Sequence, residues 1–430
     1  MSKRVLIITY YWPPSAGSGV QRWLKFAKYL PGFGWDPVIF TPENPDFELR
    51  DESLLKEVDP QTEVLKFPIW EPYGIFRKLK GEKLGDTAKV LEKKEKSILD
   101  QLGISLRANL LVPDPRVFWV RPSVKFLKDL VDQGQFQAVI TTGPPHSMHL
   151  IGRNLKRKTG IPWLADFRDP WSQWEFLDAL PMMKMVRNIH KKLEMSVLKE
   201  ADTITTISPT FQKDFEALAH KKIHLLTNGY DPSDMPGNWF DILPDQGKLE
   251  IVYTGVIDSI RNPIPFLEAM QAVFEKSENP VKLRFVGKVS EQVQEFIAEE
   301  EWRRAHVALE GYVSHEEVFG FYQKAHLLLL ILTDTKNAKG NIPGKLFEYM
   351  ATGRPILALG DPYGDAAIIL KKANAGQVFA HTDREGVQTF LREFISQRDF
   401  PVSDSVVQYS RKQRTQVLAQ LLDAQTDPLP

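Results

Sequence analysis

The chain has 430 residues, 43% of them apolar and 26% charged, a balance that excludes wholesale disorder and fibrous classes. That length suits two domains of about 200 residues each. Lys and Arg number 55 and Asp and Glu number 55, so the net charge is zero, which argues against nucleic acid as the main partner.

In chain order, short apolar runs predict strands at Val5–Thr9, Pro37–Thr41, Val64–Phe67, Ala138–Thr142, Trp163–Ala165, Thr203–Ile207 and His224–Thr227. The series pauses at Asp241–Lys248. It restarts with Ile251–Thr254, Leu283–Val286, Val307–Leu309, Leu327–Leu332 and Ile356–Leu359. Helical spacing fills the gaps, as at Val20, Trp23, Leu24, Ala27 and Leu30, and at Met182, Val186, Ile189, Leu193 and Val197. Continuous apolar strands separated by helices mean parallel sheets covered on both faces, hence an α/β chain of two doubly wound domains. The expected divisions are 1–243 and 244–403, with a helix in 404–430 that packs back on the first domain.

The N-terminal apolar stretch is too short for a signal segment, and the longest apolar run, Leu327–Leu332, is too short to span a bilayer. A cytoplasmic protein is expected, with any membrane contact peripheral. Cysteine is absent, which excludes disulfides and a thiol nucleophile. Basic stripes occur at Phe76–Lys96, with eight Lys or Arg against four Asp or Glu, at Arg153, Lys156, Arg157 and Lys158, and at Lys184, Arg187, Lys191 and Lys192. Each alone reads as a solvated helix face. Together they allow a one-sided surface for anionic headgroups at the inner face of a membrane.

Open parallel sheets bind ligands beyond the carboxyl ends of their strands. The first such loop holds Gly17 and Gly19 before a helix, which suits an anion or is an ordinary tight turn. It lacks the dinucleotide fingerprint, since Arg22 stands in the last glycine's place, and it lacks the P-loop lysine. Later strand ends carry His146 and the group Asp166, Arg168 and Asp169, near Trp171 and Trp174. His146 reads as a donor to a substrate hydroxyl or as a backbone-oriented contact, and the Asp-Arg-Asp group as a polar sugar site with aromatic walls or as an ion pair that shapes a loop. In the second half, Arg261 precedes a helix and reads either as a fork of donors for a diphosphate or as an ordinary surface arginine. Lys336 to Ile356 reads as a glycine-rich loop leading into a short helix that Gly353 ends. There Lys345 supplies a second cation and Glu348 a carboxylate for ribose hydroxyls, provided that Leu346, Phe347 and Met350 face the core. No clustered His and Asp ligand set and no serine-hydrolase elbow appears, so no metal site is expected.

The order of these motifs resembles the GT-B glycosyltransferases, specifically glycosyltransferase family 4. The segments that carry the resemblance are the first glycine loop, Thr227–Asp231, Tyr253–Gly255 with Arg261, Phe285–Gly287, Gly311–Val313 and Pro343–Pro355. The resemblance covers nearly the whole chain. It implies two Rossmann-like domains facing across a cleft. The activity implied is metal-independent, retaining hexosyl transfer from a UDP- or GDP-type sugar nucleotide to a polysaccharide, lipid-linked or other glycan hydroxyl, with no cofactor. Arg261 then matches the family's diphosphate-holding lysine and Glu348 the second glutamate of its E-x(7)-E motif. His146, Asp166, Arg168 and Asp169 become the catalytic-side residues that position sugar and acceptor. Gly17, Gly19, Arg261, Lys288, Lys345 and Glu348 become donor-binding. Gly340 stands where the first glutamate is expected, and Val256 where an arginine often follows the glycine. The alternatives are a sugar-nucleotide epimerase with the same two domains and a non-catalytic sugar-nucleotide-binding scaffold.

Overall fold

The computed structural model describes residues 2–47, 49–72, 98–235, 237, 239, 244, 247–396 and 404–426. The basic stretch Phe76–Lys96 and most of Asp241–Lys248 lie outside them. The chain divides into two compact units. One comprises Met1–Thr227 and Arg411–Pro430, the other Asn228–Ser410.

Unit 1 holds a seven-stranded parallel sheet in the order β3-β2-β1-β4-β5-β6-β7. Its strands are β1 Lys3–Ile8, β2 Trp35–Pro42, β3 Glu63–Phe67, β4 Ala138–Gly143, β5 Trp163–Phe167, β6 Thr203–Thr206 and β7 His224–Leu225. Unit 2 holds six parallel strands in the order β10-β9-β8-β11-β12-β13. These are β8 Leu249–Thr254, β9 Val281–Val286, β10 Val307–Gly311, β11 Leu327–Ile331, β12 Ile356–Leu359 and β13 Gly376–Phe379. All twelve predicted strands are present. The edge strand β13 adds a thirteenth, and its Gly376-Gln377 start explains why no apolar run announces it.

The two-sided burial follows from the period of two along each strand. In β11, Leu327, Leu329 and Ile331 enter one core layer, while Leu328 and Leu330 enter the opposite one. In β1, Leu6 and Ile8 face one layer, and Val5 and Ile7 the other. The helix Arg411–Thr426 packs on the helix Ser18–Tyr29 of unit 1, burying Leu418, Ala419 and Leu422.

The unit divisions fall at 227/228 and 410/411 instead of 243/244 and 403/404. The cause is packing. Trp239 is buried in the unit 2 core and donates to the Thr352 carbonyl at 3.1 Å. Tyr230 bridges to Ser410 and donates its N–H to the Tyr409 carbonyl at 3.2 Å.

Candidate functional site

Each sheet reverses its winding direction once, between β1 and β4 in unit 1 and between β8 and β11 in unit 2. Loops at such switch points splay apart and leave a crevice at the strands' carboxyl ends. Of the sequence-selected residues, Gly17, Gly19, His146, Arg261, Lys345 and Glu348 follow the switch-point strands β1, β4, β8 and β11, whereas Asp166 lies in β5, Arg168 and Asp169 follow it, and Lys288 follows β9.

In unit 1, Gly17 has φ +106 and caps the helix Ser18–Tyr29, a backbone region that favours glycine. Gly19 lies against Arg168: a Cβ there would stand 2.0 Å from a guanidinium nitrogen. Arg168 turns back to the β4 end, donating through Nε to the Gly143 carbonyl at 3.2 Å and through Nη2 to the Pro144 carbonyl. Arg168 and Asp169 are half-buried. Burial raises the Asp169 carboxyl above its ordinary range, and Arg168 opposes that shift.

Asp166 does not pair with Arg168, as the ion-pair reading of that tripeptide requires. It is fully buried and meets Arg22, with Nε at 3.1 Å and Nη2 at 2.7 Å. Thr142 and Thr205 donate to it at 3.0 and 2.8 Å. Four donors occupy the carboxylate, which places Asp166 in a structural role. Burial pushes its pKa up, but the charge and hydrogen bonds of Arg22 and the Thr205 hydroxyl hold it below the usual range. Arg22 also donates to the carbonyls of Leu226 and Thr227 at 2.9 and 3.1 Å. The residue that breaks the dinucleotide fingerprint is therefore the anchor joining the first helix, β5 and the chain beyond β7. Its spacing to the glycines was visible in the sequence, but its partner 144 residues away was not.

His146 stacks face-on against Trp171, with centroids 4.5 Å apart and planes 2° apart. Both its ring nitrogens are buried without a hydrogen bond. Trp171 is fully buried and donates to His190 at 3.0 Å, so it is core and not a sugar-facing wall. Trp174 makes an edge contact with Phe176.

His149 lies beside this group and binds the Thr141 hydroxyl at 2.9 Å. Burial, with Arg168 adding and Asp166 opposing, drives it down to about 3. The folded ring stays neutral while the unfolded one takes a proton below about pH 6.5, so its contribution to stability falls on acidification. Going from about pH 7 to about pH 5, it accounts for a loss of about 2 kcal/mol. In His149→Gln that loss shrinks by this amount, as read by urea unfolding at the two pH values.

In unit 2, Arg261 pairs with Asp258 at 2.7 Å on the loop after β8. Lys345 starts the helix Gly344–Ala351 and comes from the other side of the switch point. It donates to the Thr254 carbonyl and sits over the Tyr253 ring, 4.2 Å from its centroid. Gly255, at φ +113, makes this possible, since a Cβ there would stand 2.7 Å from the lysine nitrogen. Burial and the Arg261 charge push Lys345 down to about 7, with Glu348 and Asp258 opposing. The structure thus brings Arg261, Lys345 and Glu348 together.

Leu346, Phe347 and Met350 face the core, which leaves Glu348 on the outer side of its helix. Its carboxylate meets Tyr322, donating at 3.3 Å, and His315 Nε2 at 3.4 Å. Tyr322 also contacts the Thr254 hydroxyl at 3.1 Å, and the Tyr349 hydroxyl accepts the Thr254 N–H at 2.9 Å. Neither His315 nor Tyr322 was selected from the sequence, because a histidine after a capping serine and a core tyrosine carry no motif. Lys288 is exposed on the loop after β9, and only its backbone carbonyl joins the loop network, accepting from Ile257 at 2.9 Å. Gly340 is buried in the short helix Ala338–Gly340. Val256 is exposed, and its carbonyl accepts from the Tyr253 hydroxyl at 2.9 Å. Among the described residues, no group of three or more His, Asp or Glu is placed to hold a metal ion. No helix among them is long and apolar enough to cross a membrane.

Residues 248–396, within unit 2, match the family model described as "Glycosyl transferases group 1". No curated protein matches the chain. Solved structures share its fold. A glycosyltransferase from Rickettsia africae aligns at TM-score 0.62 and 12% identity, covering 100% of each chain. The Anabaena protein HepE in complex with UDP and glucose aligns at TM-score 0.55 and 12% identity, covering 99% of this chain and 96% of that one. A putative UDP-N-acetylglucosamine 2-epimerase from Listeria monocytogenes aligns at 0.56 and 11%, covering 100% and 98%. The likeness establishes the GT-B class of fold, two Rossmann-like parallel-sheet units.

Proposed function

We propose that this chain is a retaining, metal-independent glycosyltransferase. It moves a hexosyl unit from a UDP- or GDP-type sugar nucleotide to a hydroxyl of a polysaccharide, lipid-linked or other glycan acceptor. One observation carries the reading: Arg261, Lys345 and Glu348 converge at the unit 2 switch point, inside the span that matches the glycosyl transferase model. Two cations meet the leaving diphosphate, and preorganised charge is the main lever on such a step. Glu348 accepts the ribose hydroxyls, and Tyr322 and His315 fix its orientation. Attack from the same face, assisted by the leaving phosphate, retains the anomeric configuration.

On unit 1, Arg168 and Asp169 are the half-buried charged groups and are assigned to sugar and acceptor. His146 and Asp166 lie beneath them as positioning residues. Gly17 and Gly19 shape that loop, and exposed Lys288 is left at the margin of the donor site.

Lys345 supplies a test of the donor site by pH. The empty site releases its proton above about pH 7, so binding a diphosphate must restore it. Nucleoside diphosphate affinity then weakens by up to about tenfold per pH unit as pH rises above 7. In Lys345→Arg that slope flattens, as isothermal titration at several pH values would read.

The fold also occurs in an epimerase, so the activity test includes both outcomes. A panel of sugar nucleotides is incubated with the chain, with and without glycan acceptors, and products are resolved by chromatography. Acceptor-dependent release of nucleoside diphosphate supports transfer. Conversion of a UDP-sugar to its epimer with no acceptor supports the isomerase. Binding with no turnover of any kind supports the scaffold.

A further inference from the structure

Unit 1 leaves a set of large apolar side chains in water at one place. Leu106 and Leu110 stand a helical turn apart on the helix Ile98–Leu110, 53% and 68% exposed. Met183 and Met185, at the start of the helix Lys184–Glu200, are 56% and 68% exposed, and Ile189 follows one turn later. The Asn109 side chain ties the two helices together, donating to the Pro181 carbonyl at 2.9 Å and accepting the Met183 N–H at 2.8 Å. The apolar side chains therefore form a neighbouring set and are not scattered.

Charge points to the occupant. From Lys184 to Lys192 the helix carries four cations and no carboxylate. Arg187 is engaged by Asp178 at 3.0 Å, but Lys184, Lys191 and Lys192 are exposed. Flexible Met and Leu side chains next to lysines, with no acid between them, suit the interface of a bilayer bearing anionic lipids. The helix runs into the amino end of β6, so its first turns lie at the carboxyl end of the sheet, the end that carries Arg168 and Asp169.

We propose that this rim docks unit 1 on an anionic lipid surface. The Leu106, Leu110, Met183, Met185 and Ile189 side chains enter the headgroup boundary, and Lys184, Lys191 and Lys192 meet the phosphates. The claim concerns unit 1 alone and is tested without sugar nucleotide, so its failure leaves the donor-site reading untouched.

The full chain is sedimented with sucrose-loaded vesicles of phosphatidylcholine alone and of phosphatidylcholine and phosphatidylglycerol in equal parts. The expected result is pelleting with the mixed vesicles only, weakened by salt. Lys191→Glu with Lys192→Glu, and separately Leu110→Gln with Met185→Gln, each reduce the partition coefficient by about tenfold or more. All four sites are exposed, so the melting temperatures stay at the wild-type value. A wild-type chain that stays in the supernatant with the mixed vesicles overturns the proposal, as does binding that neither pair changes. A lipid-free dimer that Leu110→Gln with Met185→Gln makes monomeric also overturns it, because the rim then belongs to a second copy.

Discussion

Arg261→Ala is expected to lower kcat/KM for the sugar nucleotide by about 100- to 1000-fold, the loss seen when one preorganised donor to a developing anion is removed. The leaving diphosphate gains charge as the glycosidic bond breaks, so a cation next to it acts mainly on the transition state. Asp258 holds the Arg261 guanidinium at 2.7 Å, and the guanidinium charge acts on Lys345 beside it. Removal does more than delete one charge. It leaves Asp258 unneutralised in the proposed diphosphate site. Arg261→Lys keeps the charge and loses the fork, so it should fall between wild type and alanine. The side chain is 30% exposed and Asp258 12%, so the loss should lower the melting temperature modestly, far less than it lowers kcat/KM. Steady-state kinetics alongside a thermal melt separate the two effects. A large drop in melting temperature with unchanged kcat/KM would move Arg261 from the site to the scaffold.

Asp166→Ala is expected to destabilise unit 1 by about 3–5 kcal/mol. The cost comes from Arg22, whose charge, at 0% exposure, loses the Asp166 carboxylate. For a unit of this size the melting temperature should fall by about 6–20 °C. Arg22→Met with Asp166→Leu removes both charges and should recover much of the loss, since an apolar replacement of a buried pair is often neutral or stabilising. A double variant as unstable as the single one would show that the pair acts through the Leu226 and Thr227 carbonyls instead, which Arg22 also satisfies.

Much of this architecture was legible in the sequence because a parallel sheet buried on both faces leaves long apolar runs. Leu327–Leu332 could be little else. The residues of the proposed donor site stand out in the sequence for a similar reason. Glycine before Val256 and the Gly344-Lys345 start of a helix are local demands of close packing, and they sit at strand ends where a ligand belongs. The partnerships were not legible. Asp166 reads as the neighbour of Arg168, because pairing by proximity in sequence is the only rule available without a fold. The sheet instead sets it under Arg22, a helix residue from the start of the chain. Trp171 misled in the same way. Aromatic residues at a strand end serve as core or as sugar platform, and only burial separates the two. The division near Asp241 followed a pause in the strand pattern. The packing of Trp239 into the second core is a tertiary event with no local sign.

The most direct measurement is a calorimetric titration of the full chain with UDP and with GDP, repeated on Arg261→Ala and Glu348→Ala. Saturable one-to-one binding of at least one of the two is expected. Arg261→Ala should weaken the diphosphate more than the corresponding nucleoside, and Glu348→Ala should weaken both. Wild-type protein that binds neither nucleotide, or binding that neither substitution changes, would contradict the proposed donor site.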